Sequence, residues 1–309
     1  MPALTGALGA ALIALPRLKS SLAQRCAIAA AGLAAAALGI TAYGRWIKPN
    51  LLKTTRARRN WRGPELRIAF LSDFHAGSTD AGFLRRAVAR ANEAHPHLIL
   101  LGGDYIEGHN AEPCKLQDLE PLRGLRAPYG IFAVLGNHDT DPAGTSTPRA
   151  AAIAERLTDM GITILDNERQ AVAPGVQLVG LGRYRAGNTD AGSAFAGRDP
   201  TVATIVLAHN WRSLEEPGMG RFDIAFAGHT HGGQACVLFT EGCPHLEDAM
   251  QPYRAGAYDW PAGGTLFVSA GLGESEVRAR FGVRPEVAIV DLLHDARLML
   301  TPSAPAARA

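Results

Sequence analysis

The sequence predicts an α/β protein built from β-sheets packed together with helices outside, preceded by an apolar N-terminal segment that attaches it to a membrane. Three observations lead there. From Arg67 on, short apolar runs alternate with helical patterns and then give way to a strand-rich second half, the order expected of sheets with helices on their outer faces. Five of the apolar runs end in Asp, Asn or His, and ligands bind at the carboxyl ends of strands in open α/β sheets. Residues 1–62 hold two charge-free stretches together with ten Lys or Arg and no acidic residue.

Residues 67–72 (RIAFLS) read as a buried strand that runs into Asp73-Phe74-His75. Asp80 caps a helix through Ala94, on which Phe83, Leu84, Ala87, Val88 and Ala91 recur at helical spacing, and Pro96 ends it. Residues 98–101 form the next strand, before Gly102-Gly103-Asp104, and residues 131–135 a third, before Gly136-Asn137-His138-Asp139. A helix over 148–160 and strands over 162–165 and 176–181 continue the pattern. A strand over 202–208 leads into His209, and one over 224–227 leads into Gly228-His229-Thr230-His231; residues 235–239, 265–269 and 287–292 supply further strands. At 309 residues, 47% hydrophobic and 19% charged, the chain is long enough for a sizeable core and its composition excludes wholesale disorder. Its four cysteines show neither a zinc-finger spacing nor a disulfide framework.

The charge-free stretches run from Met1 to Pro16 and from Cys26 to Gly44. At 1.5 Å per residue the second reaches roughly 28 Å, enough for the hydrocarbon core of a bilayer. The first is short for a span and suits a tilted or interfacial helix, or half of a hairpin. A cleaved signal would want positive charge ahead of its apolar region, and none precedes Ala3. A soluble Ala-rich helix is the alternative, but its apolar face runs all round. Seven basic residues follow the second stretch against three before it, which favours a catalytic body on the cytoplasmic side of an inner or plasma membrane. Beyond residue 62, 21 basic and 29 acidic residues leave a formal charge of about −8. That acidic body argues against a nucleic-acid partner, whereas the basic collar suits anionic lipid headgroups. The expected division is a membrane-anchoring segment 1–62, a catalytic domain 63–300 and a tail 301–309, so a chain starting near Arg62 should be soluble and active. Nothing in the sequence fixes the oligomeric state.

The polar strand ends carry metal-ligating chemistry. Asp73 and His75 are two apart, so in an extended segment both side chains point the same way. Asp104 follows two glycines, which allow the backbone to turn sharply beside an ion. Asn137 offers a neutral oxygen, His209 closes another strand, and His229 and His231 repeat the two-residue spacing between small residues. Taken singly, each has an ordinary explanation as a turn, a cap or a hydrogen-bonding histidine. Together they exceed what one metal needs, and two metals sharing one carboxylate fit well.

The segments LSDFHAG, GGDYIEG, GNHD, LAHN and AGHTHGGQ resemble, in order and spacing, the motifs of the calcineurin-like metallophosphoesterases. The tail GLGESEVRARFGVRPEVAIVDL is similar to that of a bacterial membrane-associated subgroup that includes hydrolases of UDP-2,3-diacylglucosamine. The resemblance runs from about Leu66 to Leu293 and implies a four-layer α/β/β/α sandwich. By position it implies Asp73, His75 and His231 on one metal and Asn137, His209 and His229 on the other, with Asp104 bridging. The cofactors would be two divalent ions, Mn, Fe or Zn. His138 falls where the family contacts the phosphate and protonates the leaving oxygen, together with Asn137, and Asp139 is expected to orient that imidazole.

The reaction so implied is hydrolysis of a phosphodiester or pyrophosphate bond, in a phosphorylated lipid or nucleotide-lipid at the membrane. The alternatives are a broad phosphomonoesterase, a nucleotide or protein phosphatase, and a non-catalytic metal-binding scaffold. Arg183-Tyr184 and Trp211-Arg212 stand where related sequences commonly carry other residues. Trp211 either packs in the ordinary way, the commoner reading, or stacks on a base or covers an acyl chain, and Arg278, Arg280 and Arg284 either are solvated, as loop arginines usually are, or bind diphosphate oxygens.

Overall fold

A computed structural model of the chain describes residues 22–107, 113–140, 148–234, 252–275 and 278–299. The apolar stretch Met1–Pro16, the strand expected over 235–239 and the tail 301–309 lie outside the described residues. The chain divides into two units, Met1–Tyr43 and Gly44–Ala309. In the first, Leu22–Ala42 is an α-helix mostly of Ala, Leu, Ile and Gly, with Gln24 and Arg25 in its first turn and none of its residues buried. Helical turns continue it through Tyr43–Ile47 and Lys48–Asn50, and the segment Leu22–Asn50 is long and apolar enough to cross a membrane.

The second unit contains two six-stranded sheets. One has the order β1-β12-β2-β3-β4-β5 and the other β10-β11-β9-β8-β7-β6. In the first sheet β1 is Lys53–Trp61, β2 Leu66–Leu71, β3 Leu98–Leu101, β4 Ile131–Ala133, β5 Thr163–Ile164 and β12 Glu286–His294. In the second, β6 is Glu168–Ala173, β7 Val176–Gly180, β8 Ala203–Leu207, β9 Ile224–Ala227, β10 Gly256–Asp259 and β11 Thr265–Val268. Strands β2 to β5 are mutually parallel, as are β7, β8, β9 and β11, whereas β12, β6 and β10 run antiparallel to their neighbours β2, β7 and β11.

Strand alternation explains why these runs read as continuously apolar. Ile68, Phe70, Leu98 and Leu100 face Leu178, Ile205, Ile224 and Phe226 in the core between the sheets. Their neighbours Ala69, Leu71, Ile99 and Leu101 face the helices Ala81–Glu93 and Pro148–Asp159 on one outer side. On the other, Val206, Ala225 and Val268 pack against Ala191–Phe195, Trp211 and Trp260. Both faces of each sheet are covered, as largely parallel sheets require, and the layers stack α/β/β/α. The expected helix cap is present, with Asp80 accepting the Phe83 N–H at 2.8 Å.

The boundary expected at residue 62 moves. Lys53, Arg56, Arg58 and Arg59, read as a membrane collar, lie on the edge strand β1, which pairs residue for residue with β12 from Lys53↔Glu286 to Trp61↔His294. Trp61 is buried at its end and donates to Pro64 O at 2.8 Å. Charged side chains along an exposed edge are how sheets resist edge-to-edge association. A chain beginning at Gly44 is therefore expected to unfold in one cooperative transition. One beginning at Gly63 lacks β1 and the Trp61 packing, and should melt lower by about 10 °C or aggregate. Equal melting temperatures by differential scanning calorimetry would show that β1 is dispensable.

Candidate metal centre

The parallel strands β2, β3 and β4 of one sheet and β8 and β9 of the other lead into five loops that converge. Asp73 and His75 follow β2, Asp104 follows β3, Asn137 follows β4, His209 follows β8, and His229 and His231 follow β9. The loops are tied to each other by backbone bonds, among them Asp73 N to Gly103 O (2.9 Å), His75 N to Asp104 O (3.0 Å) and Gly228 N to His209 O (2.9 Å).

Asp73 and His75 do not converge by strand alternation as the sequence suggests. Both have left-handed backbone, φ 55° and 43°, as do Asp104 (56°), His229 (70°) and His231 (50°). Such conformations are uncommon outside glycine and concentrate at functional sites. Here they swing successive side chains inward while Phe74, between two of them, stacks on Tyr105 at 5.1 Å in the core. Gly103 and Gly136 permit the closest approach. A Cβ on Gly103 would stand 2.6 Å from Gly136 N, and one on Gly136 would collide with the Asp104 carboxylate.

The side chains form two groups that share Asp104. In the first, ligand atoms of Asp73, His75, Asp104 and His231 all lie within 4.8 Å of one another; in the second, those of Asp104, His209 and His229 do so. His75 Nε2 faces His231 Nε2 at 3.1 Å and His229 Nδ1 faces His209 Nε2 at 3.2 Å. Asp104 Oδ2 is 3.6 Å from His75 Nε2 and 3.2 Å from His209 Nε2. Asn137 Oδ1 comes within 3.0 Å of His209 Nε2. All seven residues expected at the site are thus brought together.

Electrostatics in this buried cluster are strongly coupled. Burial pushes the Asp73 carboxyl up from its usual range. Burial also penalises the Asp104 carboxylate, but His209, His138 and His75 around it hold its pKa well below the usual range. Burial disfavours a charged His209, yet the Asp104 carboxylate, Asp73 and the Gly102 carbonyl raise that imidazole to about 9. Burial, His75 and Arg280 push His231 well down. Burial disfavours a charged His75 too, but Glu107, Asp104 and Asp73 raise it, so the cluster sets carboxylates and a neutral His231 beside two imidazoles that compete for protons.

Asp139 has a different place from the one expected. Its carboxylate accepts the backbone N–H groups of Asp104 (2.9 Å), Tyr105 (2.7 Å) and Gly136 (2.7 Å), so it fastens the β3 and β4 loops together. The imidazole of His138 instead meets Ser275, whose Oγ lies 3.2 Å from Nε2. Ser275 is held by Gln234, whose side-chain amide bonds both its backbone N–H and its carbonyl at 3.1 Å. A further residue the sequence reading missed is Glu107, with Oε2 2.5 Å from His75 Nδ1. A carboxylate behind a metal-facing imidazole fixes its tautomer and raises its basicity. Its only sequence signal is its place three residues after Asp104 in GGDYIEG.

Three of the four candidate substrate contacts take the structural alternative. Arg280 is fully buried and donates to Ala270 O at 3.0 Å and to Gly273 O, bracing the loop that packs on Asp73. Arg284 donates to Leu51 O at 2.6 Å. Trp211 is buried edge-on against Tyr253 at 5.0 Å and belongs to the outer core. Arg183 is likewise buried, 3.6 Å from Asp166.

Fold and site together define a metallophosphoesterase. Residues 66–233 match the calcineurin-like phosphoesterase family, and the chain belongs to it: it is a phosphoric ester hydrolase. It is 28% identical to the UDP-2,3-diacylglucosamine pyrophosphatase LpxG of Chlamydia muridarum, over 82% of this chain and 93% of that protein. It is 34% identical to the phosphodiesterase YaeI of Escherichia coli, over 74% of this chain and 82% of that protein.

A protonated His209 must release its proton before Nε2 can serve a metal. With its pKa at about 9, cation binding is expected to strengthen as pH rises from 6 to 8, by about tenfold per pH unit from this proton alone. Calorimetric titration of the full chain with Mn²⁺ at the two pH values tests this, and a pH-independent affinity would contradict it.

Proposed function

We propose that the centre holds two divalent ions and hydrolyses a phosphodiester or pyrophosphate bond in a membrane amphiphile, with UDP-2,3-diacylglucosamine the leading candidate. The observation that carries the metal reading is the Asp104 carboxylate shared between two imidazole groups. Imidazole nitrogens turned on each other at 3.1 and 3.2 Å direct lone pairs at one another unless a cation or proton lies between them. The residues fit that demand. Asp73, His75 and His231 would hold one ion, Asn137, His209 and His229 the other, and Asp104 both. Nitrogen and oxygen donors without thiolate suit Mn, Fe or Zn. When bound, such ions supply Lewis-acid activation of water and neutralise charge on the phosphoryl oxygens.

The chain's own residues supply orientation and a proton. His138 N donates to Asp104 Oδ1 at 2.8 Å, which fixes the His138 backbone to the shared ligand. Its imidazole packs edge-on to His75 at 4.9 Å and is steadied by Ser275. A buried imidazole so placed can contact the phosphate with Asn137 and protonate the leaving oxygen. The buried histidines and the Gly271–Gly273 loop exclude bulk water from the inner side of the site.

The lipid reading draws on two further observations. The Chlamydia relative, whose name gives a diacylated nucleotide sugar as its substrate, aligns over most of both chains. From Cys26 on, the helix Leu22–Ala42 carries no charge on any side, which suits lipid and would hold the active site beside such substrates, raising their effective concentration. The Escherichia coli relative, named a phosphodiesterase, favours a second reading in which a soluble diester is the substrate.

His138→Ala is expected to lower kcat by about 10²–10⁴-fold for an alkyl leaving group. The loss should shrink for a nitrophenyl ester, which needs little protonation, and metal content measured by plasma emission should be unchanged. Loss of metal along with activity would remove His138 from the proton-donor role. For the substrate, kcat/KM of the full chain in mixed micelles should be higher for the diacylated UDP-sugar than for a soluble UDP-sugar or a simple diester. A preference for the soluble compounds would overturn the lipid reading and leave the metal chemistry standing.

A further inference from the structure

Between residue 43 and β1 the chain turns through Gly44–Leu52 and presents apolar side chains outward. Trp46 is 66% exposed, Ile47 52% and Leu51 37%, whereas Trp61, Trp211 and Trp260 are all buried. An indole left outside, next to an exposed isoleucine, forms a patch that a soluble surface seldom keeps. Basic groups surround it. Arg45 and Lys48 come from the turn itself, and Arg86 and Arg90 are exposed on the helix Ala81–Glu93. Arg86 reaches Asn50 Oδ1 at 3.4 Å, and Arg284 braces the turn through Leu51 O and Leu52 O. Leu51, Leu52, Arg86, Arg90 and Arg284 line a cleft of about 340 Å³, with Glu93 the one acid on its wall.

This chemistry fits one occupant. Tryptophan settles at the headgroup level of a bilayer, and arginine and lysine reach headgroup phosphates while their stems stay against apolar surface. The turn also follows directly in sequence on the helix Leu22–Ala42, so a bilayer that holds that helix lies within a few residues of it. A second cleft starts at the patch and runs from Arg45 and Trp46 to Thr79, Asp80, Gly273 and Glu274, on loops that flank the metal ligands in sequence. Ser78 Oγ there bonds both His75 O and Glu274 O, and Glu274 precedes the serine that meets His138.

The geometry points to a second membrane contact: the turn Gly44–Leu52, with Arg86 and Arg90, docks the catalytic unit on anionic phospholipid headgroups. The inference rests on the membrane reading above and adds to it a face, a lipid charge and named residues.

Labelling of arginine with phenylglyoxal, read by mass spectrometry on the full chain in nanodiscs, tests it. In discs of phosphatidylglycerol, modification of Arg86 and Arg90 should fall about fivefold relative to discs of phosphatidylcholine, the factor matching about 1 kcal/mol per basic residue at an anionic surface. Arg169, exposed on the edge strand β6, should label equally in both. The protection should vanish in about 1 M salt, where the screening length falls to about 3 Å. Equal labelling of Arg86 and Arg90 in the two discs would overturn the docking face while leaving the membrane anchor intact. Protection that extends to Arg169, or that persists in high salt, would overturn it too. A full chain that does not enter discs at all would overturn both the docking face and the membrane reading. R86Q/R90Q lies outside the catalytic machinery. It should turn over a soluble diester normally but lose its preference for anionic discs when full chains are offered a lipid substrate, and an unchanged preference would count against the inference.

Discussion

Everything at the metal centre depends on where Asp104 stands, and that is decided by the carboxylate of Asp139. It draws together three N–H groups, two from the loop after β3 and one from the loop after β4. Asp104 has a left-handed backbone at φ 56°, a conformation that costs about 1–2 kcal/mol for an L-residue. Hydrogen bonds to a charged acceptor contribute about 1.5–3 kcal/mol each, so the clamp outweighs the strain it imposes. With the loop fixed, Asp104 Oδ1 receives the His138 N–H at 2.8 Å and Oδ2 is left facing His75 and His209. One carboxylate builds the loop so that another can be shared.

The second sheet is brought to this point by bonds between the loops, among them His229 N to Asp73 Oδ1 at 2.9 Å. His209 Nδ1 lies 2.7 Å from Gly102 O, which ties the end of β8 to the end of β3 and leaves Nε2 directed at Asp104 and Asn137. The tautomer is thus set by a backbone carbonyl of the opposite sheet, and Glu107 does the same for His75 from its own sheet. Both imidazoles present Nε2 to the cluster because their other nitrogen is occupied. The inter-sheet core under them, with Phe70 edge-on to Phe226 at 5.3 Å, keeps the two sets of strand ends at a fixed separation.

The sequence disclosed the parts whose signal is chemical composition. Apolar runs located the buried strands because both faces of each sheet are covered, and the Asp80 cap located a helix start. Candidate ligands were legible because Asp, Asn and His repeatedly terminate apolar runs. Strand β1 was not, since KTTRARRNW carries no run of apolar residues: it is an edge strand whose pairing comes from β12, far along the chain. Asp73 and His75 were paired for the wrong reason, because spacing says nothing of a left-handed backbone. Trp211 packs in the core, the commoner of its two readings, whereas Arg280 looked like a solvated or substrate-binding loop residue and is buried, since a long cationic side chain is equally at home bracing a loop. Glu107, Ser275 and Gln234 act on the histidines only through folding, so no local pattern announced them.

That redistribution bears on how such an enzyme chooses a substrate. Oxygen-rich and imidazole-rich centres recognise a phosphoryl group and little of what is attached to it, so discrimination must come from surfaces around the centre. Arg183 and Trp211, singled out in the sequence as candidate substrate contacts, are turned into an ion pair with the exposed Asp166 and into packing. Arg280, the most interior of the tail arginines, is committed to two backbone carbonyls. Among what stays outward are Arg278 and the turn after residue 43, with its exposed indole and its basic neighbours. On the proposed docking, selectivity for an amphiphile would arise from where the catalytic unit is held as much as from what its pocket touches. A phosphoryl centre with little side-chain discrimination of its own becomes selective when the surface beside it accepts a bilayer.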